Sequence, residues 1–150
     1  MIRAATISDI EAIHLLGSTV PEFSVSDHTI TFWPPEVLVS AIKANDCVIL
    51  VAEENEQLIG FIATTFNSGF KKATIENIHV AKEWQGKGVA KALLAELISA
   101  LQAKGCQYVA TLVSPEAEAA MSVYEDAGFA RGHQFVWLDK AMSSAFQAVS

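Results

Sequence analysis

Apolar residues recur along this chain with two different periods, and the change from one to the other marks the elements. Residues 47–52 (Cys-Val-Ile-Leu-Val-Ala) and 58–65 are short β-branched apolar runs separated by the polar stretch Glu53-Glu54-Asn55-Glu56-Gln57, which predicts two buried strands joined by a hairpin. A third run at 71–80 follows a glycine-containing turn, so these three predict an antiparallel meander. The period then lengthens. Val89, Leu93, Leu97 and Leu101 share one stripe at i, i+4 spacing, predicting a helix over 85–104 that Gly105 ends as a C-cap. Ser8 with Glu11 three residues on is a capping-box pattern ahead of Ile10, Ile13 and Leu16, which predicts a first helix. Pro34 and Pro35 suit the start of a second, over 36–44. Residues 21–35, with turn formers at the ends and aromatics inside, read as loop. Residues 108–113 predict a buried strand, 116–127 a helix closed by Gly128, and 129–130 with 133–138 a last strand pair. A short strand at 2–6 completes the order β-α-α-β-β-β-α-β-α-β. That order is an α+β single domain with a mixed, mostly antiparallel sheet and flanking helices, spanning 1–140 and followed by a tail at 141–150.

Composition narrows the function classes. With 150 residues, 51% apolar and 18% charged, the chain is about one domain long and can bury roughly 70% of its unfolded surface. A net charge of −7 argues against nucleic acid as a partner. The charge is also unevenly placed. Residues 1–58 carry two basic and nine acidic side chains, whereas 59–150 carry eight of each. Lys71, Lys72, Lys82, Lys87 and Lys91 gather around 71–91 against only Glu76 and Glu83. Cys47 and Cys106 are far apart and have no His at metal spacing, so free thiols in a reducing cytoplasm and no metal are expected. The start, Met1-Ile2-Arg3, leads into polar Ser8-Asp9 rather than an apolar run, and no stretch reaches the ~20 apolar residues of a membrane span.

The chemistry concentrates in 73–94. A strand ending Ile78-His79-Val80 is followed by a short basic glycine-containing stretch, Gln85-Gly86-Lys87-Gly88-Val89-Ala90-Lys91, in which the helix opens and the amides of 85–90 are its N-terminal donors. Glycines remove side chains where the backbone must come close to something, and the first amides of a helix are unpaired donors suited to a pyrophosphate. Lys87 and Lys91 add positive charge there. Other site types are missing from the pattern: there is no HExxH, no Gly-x-Ser-x-Gly elbow and no Walker A pair.

Gln85-x-x-Gly88-x-Ala90 after a strand resembles the acetyl-coenzyme A signature of the GCN5-related N-acetyltransferase (GNAT) superfamily, and Val123-Tyr124-Glu125-Asp126-Ala127-Gly128-Phe129 is similar to its second signature. The likeness is close over residues 73–129 and elsewhere extends to element order. It implies the acyl-CoA N-acyltransferase fold, acetyl-CoA as co-substrate and no metal. The cofactor-binding residues would be Ile78, His79 and Val80 along the pantetheine arm, and Gln85, Gly86, Lys87, Gly88, Val89, Ala90 and Lys91 around the pyrophosphate. Tyr124 would be the general acid that protonates the departing thiolate. One departure stands out: Ala117 occupies the place where many members have an Asn bonded to that arm, a loss worth roughly 1 kcal/mol.

Transfer to an amine requires the neutral amine, so a proton acceptor is needed. Glu76 lies where related members carry a glutamate facing the acceptor, and His79 competes for the role. Strand alternation alone places Thr74, Glu76 and Ile78 on one face and Asn77 and His79 on the other, unless the family's strand bulge intervenes. In the family, acceptor preference comes from the segment between the first two helices, which here holds Glu22, Asp27, His28, Phe32 and Trp33. An acidic and aromatic lining suits a cationic amine. The reading is an N-acetyltransferase acting on a small-molecule or peptide primary amine by direct attack in a ternary complex. A catalytically silent acetyl-CoA sensor or interaction module is the alternative. Dimerisation is common in the family, and the apolar tail is compatible with a homodimer.

Overall fold

A computed structural model describes residues 1–148. In chain order the elements are β1 (Ile2–Ala4), α1 (Ile10–Ser18), α2 (Pro35–Lys43), β2 (Cys47–Glu54), β3 (Gln57–Asn67), β4 (Lys72–Val80), α3 (Val89–Ala103), β5 (Tyr108–Thr111) and α4 (Glu118–Asp126). The five strands form one sheet in sequence order, antiparallel from β1 to β4 and parallel between β4 and β5. The meander is as expected, because short polar connections hold consecutive strands side by side. Its β2–β3 turn is two residues long, with Asn55 and Glu56 both at positive φ (52° and 63°). That backbone matches the right-handed twist of the strands it joins.

Helices cover both sides, so β2 and β3 read as continuous apolar runs instead of alternating ones. Val48, Leu50, Ile62 and Ile75 meet Leu93, Leu97 and Leu101 of α3 on one face. Ile49, Val51, Phe61 and Ala63 meet Ile13 of α1, Leu38 of α2 and the loop residue Phe32 on the other. Gly17 of α1 is held against the Phe32 ring so closely that a Cβ there would lie 2.5 Å from it. Phe32 is itself stacked on Phe23 and Trp33 and cannot swing away. Gly17→Ala is therefore expected to destabilise the fold by about 1–3 kcal/mol. A urea midpoint lowered at constant slope would register that loss.

Several sequence expectations are corrected. The first capping interaction is Thr6 with Asp9, whose carboxylate accepts from the Thr6 amide at 2.7 Å, and not Ser8 with Glu11. Asp9 is also bridged by Arg3 at 2.8 Å, which holds its carboxyl well below the usual range, at about 2. The long helix begins at Val89, not Gln85, because Gly86 and Gly88 are left-handed (φ 75° and 84°) and break it. The helix expected over 116–127 is Glu118–Asp126. The strand at 108 is short and lies at the sheet edge, where Tyr108 is 62% exposed, so it is not buried. The last strand pair, 129–130 with 133–138, does not form. A strand exists through its ladder, and no described strand lies beside that segment. The tail instead packs near the α1–α2 loop, where Gln147 bridges Thr29 and His28 pairs with Asp139.

Candidate active site

The site is built where β4 stops pairing with β5. The parallel ladder runs from Lys72 opposite Tyr108 to Ile75 opposite Thr111 and ends there. At the same point the β3–β4 register slips. Ala63 faces Asn77, Thr64 faces Ile75, and Glu76 is the extra residue. This β-bulge kinks β4 and separates it from β5. Among the described residues, β4 from Glu76 to Val80 has a strand neighbour only on its β3 side, which leaves its other edge open along Ile78, His79 and Val80.

The bulge also decides which side chains share a face. Ile75, Ile78 and Val80 all pack toward α3. Asn77 lies opposite Ala63, and His79 opposite Phe61, both on the α1–α2 side. The Glu76 carboxylate turns to that side as well and accepts from the Thr65 hydroxyl at 3.0 Å. Plain alternation would have put Glu76 with Ile78 and against His79. The extra residue reverses this and brings both base candidates to one face.

His79 is half-buried, with the Phe23 ring set edge-on to it at 6.1 Å. Burial lowers its pKa below the usual histidine value, opposed in part by the charge of Glu22. Glu76 is exposed. Nearby, Cys47 has its thiol pKa raised by burial and then by the carboxylates of Asp46 and Glu76, so the rim of this face is electronegative. A cleft of about 380 Å³ opens beside it, lined by Asp46, Thr65, Asn67, Phe70 and Thr74 among others. Of the loop residues expected to line an acceptor pocket, Phe32 is core and Trp33 packs against it. Asp27 and His28 lie at the tail, and Glu22 is the one whose charge reaches His79. The aromatic that does reach the site is Phe23, which spacing did not single out.

Tyr124 comes from α4 and is 5% exposed, packed T-shaped against Phe129. Burial raises its pKa, and a hydrogen bond with Thr111 offsets part of the rise. Thr111 in turn donates to the Ile75 carbonyl at 3.0 Å, so it ties the phenol's surroundings to the last paired residue of β4. Thr111 carried no sequence signal beyond its place in an apolar strand.

On the far side of the opening, Gly88 is the N-cap of α3, and the first helical bond runs from the Ala92 amide to the Gly88 carbonyl at 3.0 Å. The amides of Val89, Ala90 and Lys91 precede that bond and have no intrahelical acceptor. A Cβ built on Gly86 or Gly88 meets nothing within 4 Å, so the left-handed backbone demands these glycines and the space before them is open. Lys87 lies over the Trp84 ring at 5.0 Å, and Lys91 is exposed. The Gln85 side chain donates to the Val80 carbonyl at 2.8 Å and fastens the turn to the end of β4. A strand edge with free backbone and a helix start with free amides are thus held together, as a phosphate-ended extended ligand requires.

The model of the "Acetyltransferase (GNAT) family" matches residues 14–129. The chain belongs to this family. Among curated proteins, the GNAT chain is 34% identical over 90 residues to an L-2,4-diaminobutyric acid acetyltransferase of Halalkalibacterium halodurans, a match covering 59% of the chain and 47% of that protein. It is 33% identical over 87 residues to a mycothiol acetyltransferase of Renibacterium salmoninarum, covering 55% and 26% respectively. These matches therefore span about half or less of the relatives' lengths. Among solved structures, an aminoglycoside N-acetyltransferase AAC(6')-Iy in complex with CoA superimposes with a TM-score of 0.75 at 20% identity, over 94% of this chain and 99% of that one. At that identity the likeness speaks for the fold. Among the described residues no group of His, Cys, Asp and Glu suits a metal ion, and no helix is long and apolar enough to cross a membrane.

Proposed function

We propose that this GNAT chain is an acetyl-CoA-dependent N-acetyltransferase that acetylates a primary amine by direct attack in a ternary complex. The observation that carries the reading is the bulge at Glu76. It opens β4 beside the α3 amides and presents a carboxylate to the opposite face within the same few residues.

Acetyl-CoA, when bound, supplies an acyl group activated as a thioester. The free β4 edge at Ile78, His79 and Val80 would pair with its extended arm. Val89, Ala90 and Lys91 amides with Lys87 would take the pyrophosphate, and Gln85 would hold the turn in place. Glu76 accepts the proton that the acceptor ammonium must lose before its nitrogen has a lone pair. The amine nitrogen then bonds to the carbonyl carbon, the carbon–sulfur bond breaks, and Tyr124 gives its phenolic proton to the sulfur. A buried phenol with a raised pKa holds that proton at neutral pH. The electronegative rim at Asp46, Cys47 and Glu76 favours a cationic acceptor by Coulomb attraction.

Thiol release from acetyl-CoA, followed across a panel of peptide N-termini, lysine side chains, polyamines and small amines, tests the reading. Release with at least one amine class supports it. Tight acetyl-CoA binding with no release across the panel would leave the silent sensor instead. In the same assay Gly88→Val is expected to raise the acetyl-CoA KM about tenfold, the effect of losing roughly 1.4 kcal/mol of phosphate contact. The added side chain forces an unfavourable left-handed backbone and enters the open space before the amides.

A further inference from the structure

The β4–β5 ladder ends on a side chain. Ile75 and Thr111 are its last pair, and the Thr111 hydroxyl donates to the Ile75 carbonyl at 3.0 Å. The next residue of β4 is the bulged Glu76, so this hydroxyl stands at the apex where the two strands part. It is also hydrogen-bonded to the phenol of Tyr124. One small polar side chain therefore joins the strand that carries Glu76 to the phenol on α4.

The rest of the Tyr124 surroundings are apolar. The residue is 5% exposed, belongs to the α3-side core and has Phe129 packed against its ring. Losing a proton there leaves a phenolate with little water around it, which is why burial raises the pKa. The Thr111 hydrogen bond works the other way. A general acid must part with its proton as well as hold it, so a donor placed where the negative charge develops bears on the rate.

The direction of these bonds follows from counting hydrogens. A threonine hydroxyl has one hydrogen and two lone pairs. The Ile75 carbonyl can only accept, so the Thr111 hydrogen lies on that bond and the phenol donates to the Thr111 oxygen. A phenolate, in contrast, can only accept. Once the phenolic proton has left, the Thr111 hydrogen can turn about its Cβ–Oγ bond from the Ile75 carbonyl to the phenolate, and no heavy atom has to move. A neutral hydrogen bond is then exchanged for a charge-assisted one, roughly twice as strong.

We propose that Thr111 is a positioning residue for acetyl transfer: it receives the Tyr124 hydroxyl in the resting protein and donates to the phenolate left when the carbon–sulfur bond breaks and the phenolic proton goes to the sulfur. Water returns a proton to Tyr124 afterwards, so Thr111 itself is neither acid nor base. The proposal rests on Tyr124 being the acid, and it adds the group that makes so buried a phenol able to act as one.

A double-mutant cycle tests it. Thr111→Val keeps the β-branched shape and removes the hydroxyl. It is expected to lower kcat at least tenfold, about 1.4 kcal/mol, with the acetyl-CoA KM within about twofold of the parent. Thr111→Ser keeps the hydroxyl and should recover most of the loss; no recovery would overturn the proposal. In a Tyr124→Phe background Thr111→Val should cost nothing further, because the group it serves is already gone. If Tyr124→Phe lowers kcat and Thr111→Val does not, Thr111 has no such part and the acid role of Tyr124 stands. An equal loss from Thr111→Val in both backgrounds also overturns the proposal, since the hydroxyl then acts only through the Ile75 carbonyl and the strand it holds. If Tyr124→Phe itself loses nothing, the acid role falls and this inference with it. Near-UV spectra check the fold of each variant, and Thr111→Ala, read by the same criteria, replaces valine if that side chain disturbs the ladder.

Discussion

Replacing Tyr124 with phenylalanine is expected to lower kcat about 100-fold, the lower end of what a positioned general acid supplies, while acetyl-CoA affinity changes little. The ring keeps its packing on Phe129 and its place beside Thr111, so only the hydroxyl is lost. The pH profile adds a second readout. Because burial raises the phenol's pKa above its ordinary value near 10, the falling limb due to Tyr124 should lie above about 10, and activity should not decline on its account at pH 8 or 9. Steady-state kinetics with pre-saturating acetyl-CoA separates the effects. Unchanged turnover in Tyr124→Phe would show that the phenol is a packing residue whose hydroxyl merely bonds Thr111.

Glu76→Gln should lower kcat by a similar factor, about 100-fold. Glutamine is close to isosteric and still accepts from the Thr65 hydroxyl, so the bulge should survive. His79 provides the internal comparison. Its pKa is depressed by burial, so a limb due to His79 would fall below the usual histidine value near 6.5, and it would remain in Glu76→Gln. If kcat and profile in Glu76→Gln match the parent while His79→Ala loses both, the base is His79 and the carboxylate only tunes the field. The two residues can be compared directly because the bulge puts them on one face.

Local signals were legible in the sequence, and signals that depend on a distant neighbour were not. The β2–β4 meander and the α3 stripe were legible because their signals are local: apolar periods, a polar hairpin and a glycine end. So was the glycine turn at 85–91, since two glycines there remove side chains where backbone must come close to something. The start of α3 was misplaced by four residues because the apolar stripe cannot show where φ changes sign; the glycines decided it. The 133–138 segment failed for a different reason. Its residues have strand character, but a strand needs a neighbour, and nothing in a pattern of alternation names one.

By itself, the sequence determined the α+β class, the order of elements, the glycine turn before α3 and the presence of a tyrosine at the end of α4, all of which follow from near-neighbour chemistry. Only the tertiary structure decided which groups meet. One unpaired residue in the β3–β4 ladder put Glu76 and His79 on one face, at the point where the β5 pairing ends and the β4 edge opens. Burial of Tyr124 between α4 and the α3-side core raises its proton affinity, and the hydrogen bond with Thr111 offsets part of the rise. Register, burial and edge pairing depend on contacts between residues distant in the chain, and a single residue's slip reverses the face of everything that follows it.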